Sequence, residues 1–145
     1  MTTLTLVRRI RARPAIVFEA LITAEGIAQW WGPDDGPVLI AEVDGWRGGR
    51  FRIRFRIADG SEHECYGEFL EVAPPERVRM SWRWVGGVED PGESVLAITL
   101  RATGEGTELT LTHALLADDA SRESHEAGWS GALDKLVAMF AGDAP

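Results

Sequence analysis

Several residue types and segments are scarce in this chain, and each scarcity excludes a class of protein. Cys65 is the only cysteine, so no internal disulfide can form. No apolar run approaches the roughly 20 residues that a bilayer-crossing helix needs. The run Met1-Thr2-Thr3-Leu4 has no basic region before an apolar block, so we expect no signal peptide. These absences predict a cytoplasmic protein that does not insert into membranes.

An excess of positive charge is also missing. The formal net charge is −8 at pH 7, and Lys135 is the only lysine. Nucleic-acid-binding proteins and proteins that dock on anionic membranes are usually basic, so the charge argues against both. A chain of 145 residues suits a single domain, residues 1–145, that can bury a sizeable core.

The first part of the chain predicts a strand followed by two short helices. Leu4 to Ile10 has the pattern of a strand, and Pro14 suits the first turn of a helix. The apolar stripe of that helix comprises Ile16, Val17, Ala20 and Leu21. Thr23 can cap a second helix. That helix ends at the pair Trp30-Trp31, because Gly32-Pro33 cannot continue it.

From Val38 onward the hydrophobic period becomes two, which is typical of strands. The clearest case alternates Phe51, Ile53, Phe55 and Ile57 with Arg50, Arg52, Arg54 and Arg56. Asp59-Gly60 predicts a hairpin, and residues 86–92 predict a loop. Further strands are predicted over about 62–72, 78–84, 96–100 and 109–113. Short turns between strands make them antiparallel.

A long final helix begins at Asp119 or Ser121 and runs to about Ala141. One face of it carries His125, Trp129, Leu133, Leu136 and Phe140. The order is therefore one strand, two helices, six strands and a helix. A sheet with one apolar face needs a cover, and this helix has the matching face. The predicted class is α+β, with a curved antiparallel sheet gripping the C-terminal helix.

Three markers in combination resemble a known superfamily: Trp30 to Pro33, Gly48-Gly49, and the stretch from Gly67 to Arg77. From about Leu4 to Ala141 the chain resembles the START-like, or Bet v 1-like, superfamily (SRPBCC). Within it, the chain is most similar to the branch named for the activator of heat-shock protein 90 ATPase. The resemblance implies the helix-grip fold with an apolar cavity between sheet and helix. Members include lipid carriers, hormone and metabolite binders, and cyclases.

The residues expected around that cavity come from the inward positions of the strands and the final helix. They are Trp30, Trp31, Phe51, Ile53, Phe55, His63, Trp82, Trp84, His113, His125, Trp129 and Leu133. A solid aromatic core is the alternative interpretation. Gly128 and Gly131 are poor helix formers, which suggests close approach of another element or a helix that can shift. A ligand is then expected between Trp129 and Leu133 on the helix and the aromatic side chains of the sheet.

Catalytic, metal and cofactor motifs are not evident. The spacing of His63, Cys65 and His113 fits no zinc pattern, and no phosphate loop or nucleophile elbow is present. No inward carboxylate pair accompanies the histidines, so buried, hydrogen-bonded histidines are the simpler interpretation. We therefore expect no cofactor and no metal, and we assign no catalytic residue.

The arginine positions of the third predicted strand, together with Arg77, Arg79 and Arg83, should lie on the outer face of the sheet. An anionic partner could dock there, or the arginines could pair across strands with Glu62, Glu64 and Glu68. The acidic net charge favours pairing.

Three functions are consistent with these patterns. The leading hypothesis is binding of a small hydrophobic or amphipathic molecule. The second is a cyclase- or hydratase-type enzyme that uses the same cavity with a histidine as proton shuttle. The third is a chaperone-interaction protein. The founding activator of the resembled branch contacts the chaperone through a separate N-terminal domain. This chain begins at the first strand of the START-like domain, so we expect no chaperone partner. A homodimer is left open.

Overall fold

The computed structural model describes residues 2–85 and 93–141. The loop predicted over residues 86–92 lies outside the described residues. The elements follow the predicted order. They are β1 (Thr2–Ile10), α1 (Pro14–Ile22), α2 (Ala24–Trp30), β2 (Val38–Val43), β3 (Arg50–Arg56), β4 (Glu62–Ala73), β5 (Arg77–Trp84), β6 (Ser94–Thr103), β7 (Gly106–Leu116) and α3 (Asp119–Ala141).

All the strands form one antiparallel sheet. The spatial order is β1-β7-β6-β5-β4-β3-β2, so β2 to β7 follow one another as neighbours. β1 pairs with β7, from Leu4 opposite His113 to Ile10 opposite Thr107. The first strand therefore completes the sheet beside the last one. The predicted α+β helix-grip architecture is confirmed.

Alternation in β3 separates the two faces of the sheet as predicted. Phe51, Ile53 and Phe55 are buried, whereas the arginines between them face outward. β3 lies between β2 and β4, and Phe55 pairs with His63 while Ile53 pairs with Cys65. A strand with one apolar face must cover it, because exposed apolar area costs about 25 cal/mol per Å².

Helix α3 covers the apolar face of the sheet. Trp129, Leu133 and Leu136 are buried on its inner side. Arg8 of β1 ties the helix to the sheet edge, because its Nη2 donates to Ser130 Oγ at 2.9 Å and its Nε to Asp134 Oδ1 at 3.3 Å.

The two short helices are joined by a tryptophan and a threonine. Trp30 Nε1 donates to the Ala20 carbonyl oxygen at 2.8 Å. Thr23 Oγ1 accepts from Gly26 N at 3.1 Å, which confirms the predicted N-cap of α2.

One detail of α1 differs from the prediction. Val17, Ala20 and Leu21 are buried as predicted, but Ile16 is 39% exposed and Phe18 is buried in its place. The helix reads PAIVFEALI, in which nearly every residue is apolar. Periodicity could not select the buried face of so uniform a helix, so contact with its neighbours decided it.

Candidate ligand-binding site

A pocket of about 320 Å³ lies between the sheet and α3. Its walls are mainly aromatic. The lining residues are Trp31, Gly32, Pro33, Phe55, Ile57, His63, Trp82, Trp84, Ser124, His125, Gly128, Trp129 and Ala132. The volume lies at the lower end of the range for small-molecule sites, and none of these lining residues is an Asp, Glu, Lys or Arg.

Strand register and helix periodicity bring these side chains together. Phe55 pairs directly with His63, and Trp84 follows on the next strand opposite Cys65. Trp82 and Trp84 are two residues apart on β5, so they share its inner face. The α3 lining residues fall at spacings of one, three and four, which is one face of a helix.

Tryptophan packing forms the closed part of the pocket. The Trp31 and Trp82 rings stack at a centroid distance of 5.5 Å and an interplanar angle of 22°. Trp129 contacts both rings edge-to-face, at centroid distances of 5.3 and 5.2 Å. Edge-to-face and offset contacts at these distances are the favourable geometries for aromatic pairs.

His113 is a fully buried histidine behind the tryptophans. Its Nδ1 accepts the Trp129 indole N–H at 3.0 Å, so the ring proton is on Nε2, which lies 2.7 Å from Ser94 Oγ. Burial, aided by the nearby His125, lowers the pKa of His113 to about 3. His113 is therefore neutral at physiological pH and joins α3 to β6 and β7.

His125 repeats this arrangement nearer the solvent. Its Nε2 accepts the Trp84 indole N–H at 3.0 Å, and its Nδ1 donates to the Ser121 carbonyl oxygen at 2.7 Å. Burial lowers the pKa of His125, and the bond to Ser121 opposes that shift. The rings of His113 and His125 lie 4.9 Å apart. Both ring nitrogens of each histidine are already occupied within the protein.

His63 occupies the exposed rim of the pocket at the start of β4. Ser61 Oγ donates to Asp59 Oδ1 at 2.6 Å and accepts from His63 Nε2 at 3.0 Å. The serine stands between the carboxylate and the imidazole, so the order of a catalytic triad is not present. His63 Nδ1 forms no hydrogen bond within the described residues.

The loop after Trp31 closes one end of the pocket. Hydrogen bonds from Lys135 and hydrogen bonds to the Asp34 carboxylate hold it in place. Lys135 Nζ donates to the carbonyl oxygens of Trp31 at 2.8 Å and Asp34 at 2.6 Å. Asp34 accepts from Gly36 N and Ala58 N, each at 2.9 Å, and these backbone bonds lower its pKa.

The two glycines of α3 have different surroundings. Gly131 lies so close to the Pro33 carbonyl that no side chain would fit. A Cβ at Gly128 would instead meet no atom within 4 Å, and Gly128 lines the pocket. Close approach of another element therefore accounts for Gly131, and open space surrounds Gly128.

The predicted site residues divide into two groups. Those that line the pocket are Trp31, Phe55, His63, Trp82, Trp84, His125 and Trp129. Those that lie in the buried core outside its lining are Trp30, Phe51, Ile53, His113 and Leu133. Leu133 is fully buried and lies outside the lining, so it contributes to the solid part of the core, whereas its neighbour Ala132 lines the pocket.

Sequence reasoning missed Gly32, Pro33, Ile57, Ser124, Gly128 and Ala132. Helical spacing could have found Gly128, three residues after His125, and Ala132, three residues after Trp129. The alternation of β3, continued one residue past its end, could have added Ile57. No local pattern marks Gly32 and Pro33 as pocket wall, because their position depends on the contact with α3.

Other polar groups near the pocket have limited roles. Burial raises the pKa of the Cys65 thiol well above its usual value, so it is not a ready nucleophile. The Trp82 indole N–H is buried without a hydrogen-bond partner. Within residues 2–85 and 93–141, no three His, Cys, Asp or Glu side chains are grouped to hold a metal ion.

On the outer face, the arginines of β3 pair with glutamates as predicted. Arg52 Nε lies 2.9 Å from Glu64, and Arg54 Nη2 lies 2.7 Å from Glu62. Glu68 stands opposite Arg50 in the register, but these two described residues form no ion pair. In the described part of the chain, no helix is long and apolar enough to cross a membrane.

These features define a helix-grip protein with an aromatic pocket between sheet and helix. The family model described as "Activator of Hsp90 ATPase homolog 1-like protein" matches residues 11–141, and the chain belongs to that family. This places it in the Bet v 1-like (SRPBCC) superfamily, as the sequence resemblance implied, and the fold of that superfamily is in general a ligand-binding one. No curated protein matches the chain significantly.

Solved structures agree with this assignment. An AHSA1 protein from Silicibacter pomeroyi is 27% identical with a TM-score of 0.88, over 99% of this chain and 100% of that one. A protein from Chromobacterium violaceum is 28% identical with a TM-score of 0.84, over 97% and 98%. A Mycobacterium smegmatis protein, 19% identical with a TM-score of 0.82 over 98% and 92%, shares the fold.

Proposed function

We propose that the protein binds a small hydrophobic or amphipathic molecule in the pocket between the sheet and α3. The observation that carries this proposal is the pocket of about 320 Å³ walled by aromatic side chains. Interiors normally pack without voids larger than a water molecule, so an apolar space of this size is a feature that a ligand can use.

Fixed surroundings support binding rather than loose packing. Contacts between different elements hold the pocket walls in place. They are the Trp31–Trp82 stack, the indole hydrogen bonds to His113 and His125, and the hydrogen bonds from Lys135 to the loop after Trp31. A preformed site loses little conformational entropy when a ligand enters, which favours affinity.

The enzyme alternative, a cyclase or hydratase with a histidine proton shuttle, uses the same space. Its difficulty is that His113 and His125 both have their ring nitrogens engaged within the protein. A general acid or base must reach the substrate proton. If His125→Ala abolished turnover of an identified substrate while the fold survived, catalysis would replace binding as the function.

The direct test is a titration with N-phenyl-1-naphthylamine, an uncharged probe that fluoresces in apolar surroundings. We expect saturable binding to the wild-type protein. Gly128→Leu should abolish it, because the new side chain occupies open pocket space. Ala127→Leu is the matched control, since Ala127 is exposed on the same helix and outside the lining.

Native mass spectrometry of the purified protein complements the titration, because a retained ligand would add mass to the wild type and not to Gly128→Leu. Equal probe binding by the wild type and by Gly128→Leu would show that the pocket is not the binding site.

A further inference from the structure

The chemistry of the pocket wall narrows the ligand class, and this inference rests on the function proposed above. We propose that the pocket selects an uncharged, planar aromatic molecule that carries a hydrogen-bonding group at the end facing the rim. Three observations support it: the charge of the lining, the orientation of the rings, and the positions of the unoccupied polar groups.

Charge is the first observation. None of the lining residues that the structure describes is an Asp, Glu, Lys or Arg. The lining histidines are His125, whose two ring nitrogens are bonded within the protein, and His63 at the exposed rim. The nearest ammonium, on Lys135, is directed at the Trp31 and Asp34 carbonyl oxygens. Burying an ion without a partner costs much more than burying a neutral group. An anion or a cation would therefore lose its hydration at this site without gaining an opposite charge.

Ring orientation is the second observation. A cation could be stabilised by resting over a free aromatic face. Here one face of Trp31 and one face of Trp82 are covered by their stack, and Trp129 meets both rings in edge-to-face contacts. Trp84 meets Trp82 at 77°. Such a mixture of edges and faces suits another planar ring, which can pack edge-to-face or offset against its neighbours.

Unoccupied polar groups are the third observation. The indole donors of Trp84 and Trp129 are bonded to histidines, and the Trp82 indole nitrogen, which has no partner, is itself buried. At the rim, Ser124 is exposed and forms no hydrogen bond within the described residues, and His63 Nδ1 likewise has no partner there. A ligand therefore finds apolar contacts inside and hydrogen-bonding groups outside, which orients a molecule that has one polar end.

A matched series of naphthalene compounds tests this by isothermal titration calorimetry at pH 7. Naphthalene-1-acetamide is uncharged with a polar end, naphthalene-1-acetate is an anion, 1-naphthylmethylamine is a cation, and 1-methylnaphthalene has no polar end. We expect the acetamide to bind most tightly. The anion and the cation should bind at least about tenfold more weakly, because each must be desolvated without a partner.

Ser124→Ala tests the rim. It should weaken acetamide binding by about 2- to 10-fold, as expected for one neutral hydrogen bond, and leave 1-methylnaphthalene unchanged. Gly128→Leu should abolish binding of every compound.

The outcomes separate the two proposals. If no compound binds the wild type, or if Gly128→Leu changes nothing, the proposed function fails. If Gly128→Leu blocks binding but the anion or the cation binds as well as the acetamide, the pocket is a ligand site and the inference about charge is overturned. If Ser124→Ala leaves acetamide affinity unchanged, the assignment of the polar end to Ser124 is overturned.

Discussion

The two faces of strands β3 and β4 have the same backbone and opposite chemistry. On the outer face, Arg52 and Arg54 alternate with inward residues and pair with Glu62, which is exposed, and with Glu64, which is buried. On the inner face, Phe55 and its neighbours surround a space that the protein does not fill. The arginine side chains of these local pairs remain exposed to water, so most of the outer contacts contribute little. Inner contacts join distant elements out of water, so single changes there should have large effects.

The largest effect is expected where the inner face is solid. Leu133→Ala should lower the free energy of unfolding by about 2–5 kcal/mol, because Leu133 is 0% exposed and its removal leaves a cavity. Urea denaturation at pH 7 measures this. A loss under about 1 kcal/mol would mean that Leu133 is not closely packed, so the solid core and the pocket would not be distinct regions.

The second largest effect concerns the pH dependence of the free energy of unfolding, to which the buried His113 contributes. The folded pKa of His113 is about 3, below its ordinary 6.5, so unfolding takes up a proton between these values and stability falls as pH drops below 6.5. Between pH 7 and 4.5 the wild type should lose about 2–3 kcal/mol more than His113→Gln, which does not titrate there.

Urea midpoints at the two pH values measure this difference. His63→Gln, the same substitution at the exposed histidine of the rim, is the matched control. Identical pH dependence in the wild type and His113→Gln would remove the claim that His113 is held neutral.

Lys135→Met tests the clamp at the end of the pocket. Losing two hydrogen bonds to carbonyl oxygens should cost about 1–3 kcal/mol of stability. Amide hydrogen exchange should rise in residues 31–36 more than in the strands. Unchanged exchange in that loop would show that the contact of Gly131 with Pro33 suffices to hold it.

A change of opposite sign is expected inside the pocket. Gly128→Ala should raise stability by up to about 1 kcal/mol, because alanine favours the helix and nothing lies within 4 Å of the new Cβ. Thermal unfolding measures it. Gly131→Ala is the contrasting variant and should destabilise, since Pro33 leaves no room. Equal behaviour of the two variants would contradict the difference in their surroundings.

The smallest effect belongs to the outer face. Arg54→Glu should change stability less than any inner variant that destabilises. The Arg54 side chain is exposed to solvent, which screens its attraction to Glu62, and the buried Glu64 keeps Arg52 as a partner. Any loss should shrink in 0.5 M salt. A large, salt-insensitive loss would place this network among the elements that hold the fold, and tight salt-sensitive binding of a polyanion would indicate a docking face.

Much of the fold could be predicted because its signals are local. Alternation in β3 assigned Phe51 and Phe55 inward and the arginines outward, and Thr23 marked the start of α2. Where the local signal was uniform, as in α1, one residue of the buried face was predicted wrongly: Phe18 is buried and Ile16 is not. The site was predicted less completely, because inward direction does not distinguish a residue that lines a pocket from one that packs behind it.

The sequence by itself determined the class of fold, the faces of the strands and the aromatic character of the interior, because side-chain direction follows from backbone geometry over a few residues. Only the tertiary structure decided that Trp31 lines the pocket while Trp30 lies behind it, and that Ala132 lines it while Leu133 does not. It also decided the tautomer of His113. These outcomes depend on how closely α3 approaches the sheet, a distance fixed by contacts between residues more than a hundred positions apart, such as Arg8 and Ser130.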